Sequence, residues 1–358
     1  MRDEGEVEMV RWGVIGAGGI ARRRTIPEGI IPARNSLLTA VMSRDEERAM
    51  EIGRRFGAKG YTRMEDLLED PDVDAVYIAT PVYLHASQTM AAAQNGKHVL
   101  VEKPMALTVD ECRRMIEVCR ESGVKLGVGY MMRFHAHHRK FKEMVENGML
   151  GKPVLARAQL SCWYPPIEGA WRQVPELGGG GSLIDMGSHC IDLLEFILAS
   201  RVVEVSCMTG NIVHDYPVED SALISLRFSN GALGIVDAFF SIPDNSSKNV
   251  LEIYGSGGSI LASGTIGQLP TGEAMAYLEE AKGYQALQER GEGKGMPIEV
   301  EPVNTYKAEI EEFADAIIQD RKPMVSGEDG LWNLMVILAA YESAKEGRVV
   351  EIDFPDEF

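Results

Sequence analysis

The sequence predicts a doubly wound α/β domain followed by an α+β domain whose sheet is mixed and mostly antiparallel. Three observations lead there. Between residues 11 and 128, short apolar strands alternate with helical stretches. Between residues 154 and 262, strand-like runs follow one another directly. The length, 358 residues, exceeds twice the roughly 150 residues of an average domain.

The first five predicted strands are 12–15, 37–42, 75–79, 98–101 and 125–128. Each is short, apolar and rich in β-branched residues. Helical stretches at 45–56, 83–95 and 108–122 separate them. Thr108 is placed to cap the last of these helices, with Glu111 at capping-box spacing. Gly96 and Gly123 stand where helices end. Continuous apolar strands between helices imply a parallel sheet covered on both faces. Ligands of such sheets bind at the carboxyl ends of the strands.

After a helix over 137–147, strands are expected at 154–160, 203–208, 222–228, 233–240, 250–254 and 259–262. Residues 221–228 nearly alternate polar and apolar, the pattern of a strand buried on one face. Asn230-Gly231 is a hairpin signal between two of these runs. Residues 264–297 carry many Gly and Glu with little period and read as a loop-rich, mobile excursion. Helices over 305–320 and 330–346 close the chain. The domain boundary falls at 132/133, with the C-terminal helices free to pack back on the first domain.

Composition excludes several classes. The chain carries 54 acids against 36 bases, a net charge of -18. Non-specific nucleic-acid binding needs a basic face to displace counterions, and anionic lipid needs the same. Neither partner is expected. No uncharged apolar run approaches the ~18 residues of a membrane span. The acidic start, Met1 to Glu6, has no apolar signal-peptide core. Five cysteines, an odd number with no Cys-x-x-Cys pair, fit a reducing, cytoplasmic compartment.

Four motifs carry chemistry. Gly16-Ala17-Gly18-Gly19-Ile20-Ala21 follows the first strand directly and opens a helix. Glycines there let the backbone turn and approach a pyrophosphate, and the helix N-terminus faces the negative charge. The competing reading is a tight turn without ligand; the alternating β/α context favours the dinucleotide. At the end of the second strand an NAD site usually places an acid on the ribose 2′-OH. Here Ser43 and Arg44 stand in that slot, and a hydroxyl and a guanidinium suit a 2′-phosphate. The lean is to NADP, with NAD open through neighbouring Asp45; Ser43-Arg44-Asp45 also reads as a simple helix cap.

Lys103 closes the strand ending in Glu102, just before Pro104. A lysine in an apolar cleft exchanges protons near neutrality, whereas a solvated strand-end lysine does nothing; spacing alone leaves the two even. The run Gly178-Gly179-Gly180-Gly181 precedes Asp185 and His189, which are four residues apart and share a helical face. The glycines would let backbone approach a ligand, and a carboxylate can tune an imidazole for proton transfer. The plain reading is an acid near a helix start plus a core histidine.

These motifs together resemble the Gfo/Idh/MocA oxidoreductase family (glucose–fructose oxidoreductase, inositol dehydrogenase and relatives). Also family-like are Thr80-Pro81 with His85, Gly96-Lys97-His98-Val99 running into Glu102-Lys103-Pro104, Asp192, Trp171-Arg172 and Gly327-Glu328-Asp329-Gly330. The resemblance covers nearly the whole chain. It implies a Rossmann domain (1–132), then a substrate and oligomerisation domain (133–358) on an open mixed sheet, with the nicotinamide at their interface. It implies hydride transfer between nicotinamide C4 and a secondary alcohol of a sugar or cyclic polyol. Lys103, Asp185 and His189 match the family's catalytic group. Thr80, Pro81, His85, Glu102, Trp171 and Arg172 join the cofactor-binding set, and a homodimer or homotetramer is implied.

Whether Lys103 or His189 is the principal acid–base stays open at this level. Two other classes fit the scaffold: a redox-neutral NAD-dependent glycosidase or epimerase, and a non-catalytic dinucleotide sensor. Tyr130, Met132 and Arg133 are weaker candidates, because a chain crossing between domains also needs packing residues. His135, His137 and His138 read as surface or structural histidines rather than a metal site. Cys112 and Cys119 read as small apolar packing residues.

Overall fold

The computed structural model describes residues 8–279 and 295–353. The chain divides into two compact units. The first comprises Met1–Met131, Glu176–Gly178 and Asn304–Leu334, the second Met132–Pro175, Gly179–Val303 and Met335–Phe358.

The first unit is built on six parallel strands. They are β1 (Val10–Ile15), β2 (Ser36–Met42), β3 (Lys59–Tyr61), β4 (Ala75–Ile78), β5 (His98–Glu102) and β6 (Leu126–Gly129). Their order is β3-β2-β1-β4-β5-β6. The order reverses between β1 and β4, the place where doubly wound sheets open a crevice. All four residues of β4 are buried, as a strand covered on both faces requires. Helix Val109–Glu121 carries the expected capping box from Thr108 and Glu111. The helix after β1, Ala21–Ile30, is wide, with Ile31 N–H donating to the Ile26 carbonyl five residues back.

The core of this unit gathers Trp12, Val14, Ile26, Ile30 and Tyr77, and it is completed from the far end of the chain. Helix Thr305–Ile318 places Phe313 with its ring 5.8 Å from that of Trp12. The Trp12 indole N–H donates to Ser36 Oγ at 3.0 Å, so the largest buried side chain is also polar-satisfied. Pattern reading passed over β3 and the short helix Met64–Leu68. Three residues containing Gly60 at a sheet edge hold no readable period.

The second unit holds β7 (Pro153–Ser161), β8 (Val202–Gly210), β9 (Ser221–Phe228), β10 (Leu233–Phe239), β11 (Val250–Gly255), β12 (Gly258–Ser263), β13 (Glu273–Leu278), β14 (Met296–Pro297) and β15 (Val350–Glu351). The sheet order is β14-β13-β12-β11-β7-β10-β9-β8-β15. β7 and β10 run parallel, and the other neighbours are antiparallel. β9 alternates as its sequence predicts, burying Ala222, Ile224, Leu226 and Phe228. Gly231 turns the β9–β10 hairpin at φ 87°, which a β-carbon disfavours. Helix Ser188–Leu198 covers the inner face against β7 and β10.

The reading of 264–297 as loop needs correction. Glu273–Leu278 is a strand paired along its length with β12, and Met296–Pro297 pairs beyond it. Glu, Ala, Met and Leu are helix formers by preference, so the sequence hides this strand; sheet pairing overrides it. Residues 280–294 lie outside the described set.

Candidate active site

The residues expected to cradle a dinucleotide lie in the first unit. Gly16 and Ala17 N–H both donate to the Met42 carbonyl, at 3.1 and 2.9 Å, which turns the chain sharply after β1. Gly16 has φ 87°, and a β-carbon there would stand 2.8–2.9 Å from Ala79 and Thr80. Gly16 is therefore glycine because the end of β4 presses on it. Gly18 and Gly19 differ. A β-carbon on Gly19 would meet nothing within 4 Å, and one on Gly18 only Arg48 Nη1 at 3.6 Å. This bare, open turn at the head of a helix is what a pyrophosphate needs. Ile20 is half-buried, and Ala21 is buried under the core.

At the end of β2, Ser43 is buried and its Oγ accepts the Asp45 N–H at 3.2 Å. Asp45 caps helix Glu46–Phe56 by accepting the Arg48 N–H, and its other oxygen pairs with the Arg48 guanidinium at 3.1 Å. Asp45 is thus engaged within its own helix start. Arg48 lies between that carboxylate and Gly18, and Arg44 is exposed. The cradle fits a nicotinamide dinucleotide: open glycines for the pyrophosphate, and a hydroxyl with two guanidinium groups at the β2 end.

At the ends of β4 and β5, His85 is 1% exposed. Its Nδ1 lies 3.0 Å from the Pro104 carbonyl and its Nε2 2.9 Å from the Thr80 carbonyl. The ring ties together the loops that carry Thr80-Pro81 and Lys103-Pro104. Thr80 Oγ1 donates to Gln88 at 2.6 Å. Glu102 turns into the protein: its carboxylate accepts from Tyr77 OH and from Lys103 N–H at 3.2 Å. Burial first, then the Glu102 and Glu309 charges, push the Tyr77 hydroxyl far up, so it stays a donor. Lys103 is half-buried behind a cis Lys103-Pro104 bond. Lys97, by contrast, donates to the Asp70 and Val73 carbonyls at 2.9 and 2.8 Å and is a structural lysine.

The second unit carries Asp185 on a wide helical turn, Leu183–Gly187, and His189 on the helix Ser188–Leu198 that continues it. Both are half-buried, while Leu183, Ile184, Gly187, Ser188 and Cys190 around them are buried. They therefore share the accessible face, as the four-residue spacing predicts. Arg172 Nε stands 3.6 Å from Asp185 Oδ1, and its guanidinium lies 4.3 Å over the Trp171 ring. Burial, then the Arg172 and Asp185 charges, act on the nearby Tyr164 hydroxyl, with a net upward shift. Asp185, Arg172, Tyr164 and the Trp171 ring offer a carboxylate, a guanidinium, a phenol and an indole face, with the His189 imidazole four residues on, a set that suits a polyhydroxylated molecule.

The glycine run is explained by the protein itself. A β-carbon on Gly180 would fall 1.9 Å from the Tyr341 hydroxyl, and one on Gly181 1.9 Å from the Glu219 carbonyl oxygen. Here the close approach expected of a ligand is made by one side chain and one backbone carbonyl.

Other candidates have packing roles. Asp192 and Arg133 form a buried two-pronged ion pair at 2.6–3.1 Å. Tyr130 OH donates to Asn333 at 2.7 Å, and Met132 is buried. Asp329 caps its own helix through Ser326, and Gly330 makes room for Val128 and Met105. His135, His137 and His138 are buried rather than on the surface. Burial, then neighbouring histidine charge, pushes His135 down to about 4 and His138 to about 3. Cys112 and Cys119 are buried, and burial pushes each thiol up to about 12. Arg48 and Glu219 escaped sequence reading. Arg48 hides among seven charged residues between Arg44 and Arg55, and Glu219 lies 38 residues from the turn it serves.

A family profile described as "Oxidoreductase family, NAD-binding Rossmann fold" matches residues 10–130. A second, described as the C-terminal domain of the same family, matches residues 138–261. The chain is 34% identical to 1,5-anhydro-D-fructose reductase from Ensifer adhaerens, covering 96% of this chain and 99% of that one. It is 31% identical to myo-inositol 2-dehydrogenase from Thermotoga maritima, with 96% and 99% covered. Its fold matches the aldose-aldose oxidoreductase of Caulobacter crescentus, solved with glycerol, at a TM-score of 0.85 and 29% identity over 96% of this chain and 100% of that one.

Proposed function

The chain belongs to the Gfo/Idh/MocA oxidoreductase family, and from that premise we propose how its residues divide the work. The protein is an NAD(P)-dependent dehydrogenase or reductase acting on CH–OH groups of a sugar, cyclic polyol or derivative. The observation that carries the assignment at residue level is the open turn at Gly18–Gly19, at the switch point of a parallel sheet. Neither the redox-neutral nor the sensor reading has a comparable observation behind it.

A bound nicotinamide dinucleotide supplies or accepts hydride at its C4. The chain's own groups must hold the dinucleotide, orient the substrate and move the hydroxyl proton. Gly16, Gly18, Gly19 and the start of helix Ala21–Ile30 cradle the pyrophosphate. Ser43, Arg44 and Arg48 offer one hydroxyl and two cations to a 2′-phosphate, so NADP(H) is preferred. Asp45 supports this reading, because its carboxylate is engaged by its capping bond and by its pairing with Arg48.

Lys103 and His189 exchange the substrate hydroxyl proton, and the Lys103 ammonium steadies developing alkoxide charge. Asp185 tunes this chemistry while bound to Arg172, and Trp171 offers a flat apolar wall. Copies associate through the open face of the second sheet, where Met208, Leu223 and Leu233 are 46–74% exposed on strands that need cover. A cytoplasmic location suits five cysteines that form no disulfide.

The test is titration of dinucleotide-free protein with NADPH and NADH, followed by a sugar and polyol panel read at the nicotinamide absorbance. Tighter NADPH and turnover of one panel member are the expected result. Tighter NADH overturns the 2′-phosphate reading, and absence of dinucleotide binding overturns the site.

A further inference from the structure

We propose that Glu219 is a positioning residue that sets Asp185 and His189 by capping the start of their helix from outside. The inference rests on the reading of those two groups as proton-transfer residues. It deepens that reading by naming what holds them.

The first turn of a helix leaves N–H groups that need acceptors. Ser182, which opens this one, makes no side-chain cap. Glu219 fills the gap. Both carboxylate oxygens lie 3.0 Å from Gly181 N, and Oε1 also accepts from Leu183 N at 2.9 Å and Tyr341 OH at 2.9 Å. The Glu219 carbonyl accepts from Ser182 N at 3.0 Å. One residue thus receives three consecutive amides, 181 to 183. Two of the glycines exist to let it in: Gly181 clears its carbonyl and Gly180 clears Tyr341. Asp185 is hydrogen-bonded straight back to this turn, its N–H donating to Gly181 O at 3.1 Å.

Rotation of the turn therefore re-aims Asp185, and the helix running on through His189 turns with it. Displacements of about 1 Å at such groups cost on the order of 10²-fold in rate. Burial raises the Glu219 carboxyl, against the lowering effect of the Leu183 and Tyr341 hydrogen bonds. A half-buried acceptor this fully used is replaced by Gln only at the cost of facing an NH2 toward an amide or hydroxyl donor.

The experiment uses full-length protein labelled with ¹³C at histidine. The ring signal of His189 is assigned by its disappearance in His189→Asn. In Glu219→Gln, below its melting temperature, the His189 ring signal and titration midpoint should move while those of His85 and His98 stay. On whichever panel sugar the parent turns over, kcat should fall ~10–100-fold with KM and NADPH affinity near parent values. Unmoved His189 signals in a folded Glu219→Gln protein overturn the proposal. Should that variant not fold, Tyr341→Phe removes one donor and leaves the amide contacts; the same signal should move by less, and an unmoved signal again overturns it. A parent inactive on every sugar would defeat the proposed function, while the His189 signal would still decide the role of Glu219.

Discussion

Each unit carries a glycine-rich turn, and the two turns are glycine-rich for opposite reasons. At Gly19 the β-carbon position faces empty space, and at Gly18 it meets only the end of the Arg48 side chain at 3.6 Å. At Gly180–Gly181 they are filled by Tyr341 and Glu219. The first turn is kept bare for a guest; the second is bare because the protein occupies it. Sequence shows the same letters in both places, so a glycine run announces a close approach without saying what approaches.

The largest test separates binding from chemistry within the first unit. Lys103→Ala should lower kcat ~10²–10⁴-fold while NADPH titration stays near the parent value. Equal loss of NADPH binding would move Lys103 from proton transfer to cofactor anchoring.

Acid should sharpen the contrast by attacking the second unit. His135 and His138 have folded values of about 4 and about 3, below the ordinary 6.5. Their burial as neutral rings contributes stability in full above pH 6.5, and that contribution is lost as pH falls through and below that value. At pH 5 the two together should have given up about 4 kcal/mol, at 1.4 kcal/mol per pH unit per group. Melting followed from pH 7.5 to 5 should show it, and His135→Gln/His138→Gln should flatten the slope. An unchanged slope would assign the acid loss to carboxylates.

A paired substitution then breaks or keeps the comparison directly. Gly181→Ala should destabilise the fold by about 3 kcal/mol or more, since its β-carbon meets a backbone oxygen. Gly19→Ala should cost about 1–2 kcal/mol for a left-handed alanine yet weaken NADPH binding further than Gly181→Ala does. Equal stability losses with equal NADPH affinity would erase the distinction. The smallest effect concerns Arg48: Arg48→Ala should weaken NADPH about tenfold, the loss of one charge-assisted bond, and leave NADH near parent affinity.

Most of the first unit was legible because its strands and helices carry clear periods, and Thr108 with Glu111 announces a helix start locally. β9 was legible through its alternation, and the β9–β10 turn through Asn230-Gly231. β13 was hidden because Glu273–Leu278 is written in helix-forming residues and becomes a strand only by pairing with β12. The first glycine turn was legible as a sharp turn from its place after β1, and the structure shows that turn. The second was misread in its cause, since Glu219 and Tyr341 lie 38 and 160 residues from Gly181. Arg48 needed the Asp45 pairing to stand out from its charged neighbours.

The Trp12–Phe313 contact has a consequence for how the chain is made. β1 leaves the ribosome first, yet the helix that covers it, Thr305–Ile318, arrives some 300 residues later. Domains on a growing chain generally settle in the order of synthesis; here the earliest strand waits for one of the last helices. Until then Trp12, Ile26 and Ile30 lack part of their cover. The nascent first half is thus an apolar surface awaiting its lid, and a fragment ending at residue 132 would carry that exposure permanently.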